Sequence, residues 1–169
     1  MKDKNSPLNG LLIHAGMPKT GSTALQLFMK KNRRTLWGKN LNYVRHGLGF
    51  MSHNKLASQL RSKAASVVWD NIAAEVEAHP GALSIISSEA LSAPVFADAM
   101  ARHMPAALRA KTRIIIYLRR QDAALEARYK QLIKKGRVNV TPEEFVAQRS
   151  EELCDYAAML EHFAEALGV

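Results

Sequence analysis

Leu11-Leu12-Ile13-His14-Ala15-Gly16-Met17-Pro18-Lys19-Thr20-Gly21-Ser22-Thr23-Ala24-Leu25 passes from an apolar run, through a glycine-bounded loop, into an amphipathic segment. The run reads as a buried parallel strand, because such strands are apolar on both faces. Gly16 and Gly21 allow a sharp turn and a close backbone approach to a ligand. Ser22 and Thr23 open a helix whose first N–H groups lack intrahelical acceptors. Strand, glycine loop and helix N-terminus together form a cradle for an anion, most often a phosphate. Lys19 adds a point charge, and Thr20, Ser22 and Thr23 add hydroxyls.

The spacing of Gly16 and Gly21 is that of a Walker A loop, but Ser22 stands where that motif has lysine. The lysine lies inside the loop, at Lys19. A phosphate-like anion suits this loop better than a magnesium-bound nucleoside triphosphate.

The strand–helix alternation continues outward from this point. A helix is expected over residues 22–36, with Leu25, Phe28 and Met29 on one face, and a short strand over 41–45. His53-Asn54 opens another helical stretch. His53 reads either as an ordinary helix-start residue or as an acid/base imidazole facing a substrate. A helix over 64–79 ends at Pro80-Gly81, and the apolar strand 82–87 runs into Glu89. A carboxylate at that strand end is either a helix-start residue or a general base, since ligands bind at the carboxyl ends of parallel strands.

Residues 94–108 read as helix and 113–118 as strand, with Arg119 and Arg120 at its end. An arginine there can fork onto a phosphate or pair with local carboxylates. Asp122 is the expected cap of a helix carrying Leu125, Tyr129 and Leu132 on its inner face. Thr141-Pro142-Glu143-Glu144 is a capping box opening a single last helix through Leu167. The expected architecture is α/β: one domain over 1–169, three-layer α/β/α, with a mainly parallel, P-loop NTPase-like sheet.

Composition narrows the partners. The chain has 169 residues and 47% hydrophobic content, enough for one core. Its formal charge of +9, from 24 Lys+Arg against 15 Asp+Glu, favours anionic partners. No zinc spacing, basic zipper or aromatic RNA-binding motif accompanies that charge, so nucleic acid is not the expected partner. The single cysteine, Cys154, reads as a buried, inert thiol. The polar N-terminus lacks a signal core and no run has membrane-spanning length, so a cytoplasmic protein without a membrane span is expected. No metal-ligand cluster is evident.

Gly16-Met-Pro-Lys-Thr-Gly-Ser-Thr23 resembles the 5′-phosphosulfate-binding loop of sulfotransferases that use 3′-phosphoadenylyl sulfate (PAPS). The segment from Ile116 through Arg119 to Tyr129 resembles that family's 3′-phosphate motif, with Ala127 where the family has serine. Ser88-Glu89 is similar to the strand-end glutamate of its carbohydrate-acting members.

The resemblance implies sulfuryl transfer from PAPS to an acceptor hydroxyl or amine, a glycan being one such acceptor. It places Gly16, Pro18, Lys19, Thr20, Gly21, Ser22, Thr23, Arg119 and Tyr129 around PAPS or its product, adenosine 3′,5′-bisphosphate (PAP). Lys19 would offset charge on the leaving phosphate, and Glu89, or His53 as second choice, would take the acceptor's proton. No metal is required. The family continues with a further strand and a basic loop, so the chain reads as incomplete at its C-terminus, with an open sheet edge available for self-association. The alternatives are a P-loop small-molecule kinase and a truncated, non-catalytic nucleotide-binding relative.

Overall fold

The computed structural model describes residues 10–62 and 64–168; the polar N-terminal segment 1–9 lies outside them. Four strands, β1 (Gly10–His14), β2 (Leu41–Tyr43), β3 (Leu83–Ser87) and β4 (Thr112–Ile115), form one sheet in the order β2-β3-β1-β4. All neighbours are parallel, and Ile13 sits in register with Ile86 and Ile114. The expected α/β class with a parallel sheet is what the chain adopts.

Each parallel step needs a crossover, and helices supply it. These are α1 (Ser22–Lys31), α2 (Arg33–Trp37), α3 (Asn54–Gln59), α4 (Ala65–Glu77), α5 (Pro94–His103) and α6 (Ala106–Arg109), followed by α7 (Gln121–Lys134), α8 (Pro142–Cys154) and α9 (Tyr156–Leu167). Alternation within the strands assigns the layers. Leu11, Ile13 and Ile86 point into the main core with Trp69 and Ile72 of α4, Phe96 and Met100 of α5, and Phe163 of α9. His14 and Ser87 point the other way, where Gln26 of α1 meets them. Helices therefore cover both faces.

Several boundaries differ from the expectation. The helix over 22–36 breaks at Asn32, whose amide Nδ2 donates to the Phe28 carbonyl at 2.9 Å. Its inner face is Ser22, Gln26 and Met29, whereas Phe28 is exposed, because α1 covers a polar patch of the sheet. The helix over 94–108 breaks before Pro105, which cannot donate a helical hydrogen bond.

The single last helix is two helices. Asp155 leaves helical geometry and its carboxylate accepts from the Ala158 N–H at 2.9 Å, capping α9. Asp122 is no cap: α7 begins after Arg120, and Asp122 pairs with that arginine's guanidinium. Cys154 is partly exposed, its thiol facing the Gln121 carbonyl, so the buried-thiol expectation is corrected. The Thr141 capping box is present as expected.

β4 is an edge strand, and Ile115 is 43% exposed. Its ladder ends earlier than expected, yet the chain keeps following the first strand: Ala15 N–H donates to Ile115 O at 2.9 Å and Met17 N–H to Tyr117 O at 3.0 Å. Those two bonds carry Arg119 to the glycine loop. Among the described residues no helix is long and apolar enough to cross a membrane.

Candidate functional site

The loop after β1 turns on two left-handed residues, Lys19 at φ 70° and Gly21 at φ 86°. Glycine adopts this region freely, whereas a lysine is held there by its surroundings. The Thr20 hydroxyl donates to Met17 O at 2.6 Å, and the Ser22 hydroxyl lies 3.1 Å from Thr20 Oγ1. Arg119 Nη1 donates to Lys19 O at 2.8 Å, and Tyr156 in turn donates to Arg119 O at 2.8 Å. The loop is thus fixed internally and braced from a segment a hundred residues away.

Its donors are left free. Gly21 is the N-cap of α1 and no side chain caps that helix. Among the described residues, the N–H groups of 19–23 have no acceptor in the protein. Successive unpaired amides at the positive end of a ten-residue helix bind anions through hydrogen bonds and the dipole together. The exposed ammonium of Lys19 and the guanidinium of Arg119 add charge of the same sign at that place.

A polar cluster supports the loop from beneath. His14 Nδ1 lies 2.8 Å from Ser87 Oγ, and Gln26 Nε2 donates to the same oxygen at 3.1 Å. If Ser87 gives its proton to Nδ1, every group in the trio is used and His14 carries its own proton on Nε2. His14 is 4% exposed and its Nε2 has no partner in the protein. Burial lowers its pKa, so the ring is neutral at pH 7. Tyr117 meets it edge-on, the ring centroids 4.5 Å apart. A Cβ on Gly16 would lie 3.1 Å from this Nε2, 3.1 Å from Thr20 Oγ1 and only 2.5 Å from Ser22 Oγ. Three polar side chains therefore converge on Gly16, where only glycine fits.

Glu89 opens a 3₁₀ turn just past β3. Burial raises its pKa and the charge of Lys19 pulls it back, so the two groups act on one another. A partly buried carboxylate with a raised pKa is a stronger base than an exposed one. Glu89, Met17 and Pro18 line one side of a cleft of about 620 Å³; Leu153, Tyr156 and Met159 of α8 and α9 line the other. The start of the glycine loop, at Met17 and Pro18, and Glu89 thus face the same cleft.

Two expected site residues lie elsewhere. His53 is fully buried, with Nε2 donating to Val44 O at 2.9 Å and Nδ1 accepting from Ser87 N–H at 3.1 Å. Burial drops its pKa to about 4, and neither nitrogen is free to take a proton from a substrate. It ties β2 to β3 instead, which corrects the second-choice base. Tyr129 donates its hydroxyl to Val140 O at 2.8 Å and packs against Phe145 in a separate small core between α7 and α8. It does not join the loop; Arg119 does.

His14, Ser87 and Gln26 were missed from sequence. The available signal was a lone imidazole ending an apolar strand directly before a glycine loop, where only the central strand's neighbours can satisfy it. Among the described residues no His, Cys, Asp and Glu group could hold a metal. Comparison with protein-family models, curated proteins and solved structures gives no match to this chain.

Proposed function

We propose that the protein is a sulfotransferase, moving a sulfuryl group from PAPS to an acceptor hydroxyl or amine. The single observation that carries this reading is the row of unpartnered amides at 19–23, with Lys19 set against the raised-pKa carboxylate of Glu89. The likeness of residues 16–23 to the phosphosulfate loop gives the donor its identity. In this reading the loop amides hold the 5′-phosphosulfate and Arg119 holds the 3′-phosphate.

PAPS, as donor substrate, supplies an activated sulfuryl group. The S–O bond to the 5′-phosphate breaks while a bond forms from sulfur to the acceptor's oxygen or nitrogen. Glu89 accepts the acceptor's proton. Lys19 and the loop amides offset the charge left on the phosphate oxygen, as preorganised donors do in phosphoryl transfer. The cleft beside Glu89 receives the acceptor. A glycan acceptor follows from the resemblance alone, and a cytoplasmic setting from the polar N-terminal sequence and the lack of a membrane-length apolar run.

Thermal unfolding with PAP tests this. At one hundred times its Kd, PAP raises the Tm by about 5–10 °C. Lys19→Ala weakens PAP binding at least tenfold, and Glu89→Gln leaves binding intact while abolishing transfer. Stabilisation by ATP with magnesium but not by PAP would replace this reading with the P-loop kinase. PAP binding without transfer to any acceptor in a broad screen would leave a non-catalytic nucleotide binder.

A further inference from the structure

Away from the glycine loop, α7, the turn after it and α8 enclose a hollow of about 360 Å³. Three arginines line it: Arg128 from the middle of α7, Arg137 from the turn and Arg149 from α8. Asn139 and Gln148 add amides, and no carboxylate lines the hollow. Arg149 is already paired with Glu152, its Nε 3.2 Å from one carboxylate oxygen and its Nη2 donating to the other at 3.3 Å, whereas the Nε of Arg128 is buried without a hydrogen-bond partner. Among the described residues Arg128 and Arg137 form no ion pair.

The helix dipole accounts for cations in the last turn of α7 and Glu152 accounts for Arg149, but neither accounts for Arg128 within α7. Arg128 and Arg137 bring two uncompensated guanidiniums to one hollow, where they repel each other unless an anion lies between them, and their fork geometry suits phosphate and sulfate. The rest of the wall is Leu132, Val138, Val140 and Phe145. The hollow lies at the small end of the size range for small-molecule pockets, larger than a bare oxyanion needs.

We propose that this hollow is a second binding site, for an organic phosphate or sulfate monoester whose charged head sits on Arg128 and Arg137 and whose apolar body packs on Val138 and Val140. The site is independent of the glycine loop and does not rest on the sulfotransferase reading.

The test is a titration of the full chain, followed by two-dimensional amide NMR, with phenyl phosphate, inorganic phosphate and phenol as probes. Phenyl phosphate is expected to shift amides of residues 128–149 and to bind at least fivefold more tightly than inorganic phosphate, with phenol inert. Arg128→Gln and Arg137→Gln each weaken it at least tenfold, while Lys19→Ala leaves it unchanged. Arg137 is exposed, so its variant keeps the fold even if the Arg128 variant does not. Equal affinity for inorganic phosphate and phenyl phosphate would mark an adventitious ion only and overturn the proposal. So would shifts confined to residues 16–23, or binding unchanged in Arg137→Gln.

Discussion

Replacing Gly16 with alanine probes the loop where it is most tightly specified. Gly16 does not lie in the left-handed region, so alanine meets no backbone strain there. The cost is steric: the new methyl comes within 2.5 Å of Ser22 Oγ and 3.1 Å of both His14 Nε2 and Thr20 Oγ1. None of the three can swing away freely. Ser22 is bonded to Thr20, Thr20 to Met17 O, and His14 to Ser87.

Overpacking a constrained site of this kind costs about 1–3 kcal/mol, or about 3–10 °C in Tm for a chain of this size. The backbone at 20–22 must shift to relieve the contact, which moves the free amides. Losing one charge-assisted hydrogen bond weakens PAP about tenfold or more. Differential scanning calorimetry and isothermal titration with PAP read the two effects separately. Ser22→Ala removes the nearest atom, so the double variant recovers about 1 kcal/mol relative to the sum of the single ones. A Gly16→Ala protein with parental Tm and parental PAP affinity refutes the crowding argument.

Buried His53 stays neutral in the native state down to about pH 4, whereas the unfolded chain protonates it near 6.5. The native-state pKa is depressed, so its contribution to stability is complete above pH 6.5 and is lost as pH falls toward 4, by about 3 kcal/mol. A ring-proton titration that shows His53 protonating near pH 6.5 in the folded protein contradicts this. Burial alone would raise the Glu75 pKa, but bonds from Arg45 N–H at 2.8 Å, the His46 ring at 2.7 Å, His46 N–H and Asn42 outweigh it and hold it below the usual carboxylate range. Glu75→Gln therefore costs about 1–3 kcal/mol at pH 7, and the difference from the parent shrinks below about pH 4, as urea unfolding at both pH values will report. Thr141→Ala removes the capping-box acceptor of α8 and costs about 1 kcal/mol, measured by the same method, with fraying confined to that helix in hydrogen exchange.

The parts of this molecule legible in sequence are those decided locally. Leu11 to Ile13 reads as a central parallel strand because both its faces are buried, and the turn from strand into helix reads from Gly16 and Gly21, which bracket it. Thr141 and Glu144 announce their helix start within four residues. What could not be read depends on which segments the sheet brings together. Ser87 satisfies His14 across 73 residues only because β3 pairs with β1 in one register. His53 reads locally as a helix-start residue or a substrate-facing imidazole, since nothing nearby in the chain says that β2 and β3 close over it. The spacing of Tyr129 with Leu125 and Leu132 gives its inner-face position correctly; its site role comes from the resemblance, and α8 takes it into a core of its own instead. Asp155 sits in an unbroken apolar period, and only its capping of Ala158 shows that the period spans two helices.

Lys19 ties these strands of argument together. A non-glycine residue at φ 70° stores strain of order 1 kcal/mol, which persists only where the surroundings over-determine it. Here they do: the continued pairing of residues 15 and 17 with 115 and 117 fixes both arms of the turn, and Arg119 holds the Lys19 carbonyl from outside. Relaxing Lys19 would rotate that carbonyl away from Arg119 and turn the following amides out of line. Arg119 therefore does two things with one side chain. It supplies positive charge beside the loop, and it holds the Lys19 carbonyl in place. Strain at one residue and five successive unpaired amides add nothing to the stability of the fold, and that is the feature on which the proposed anion site rests.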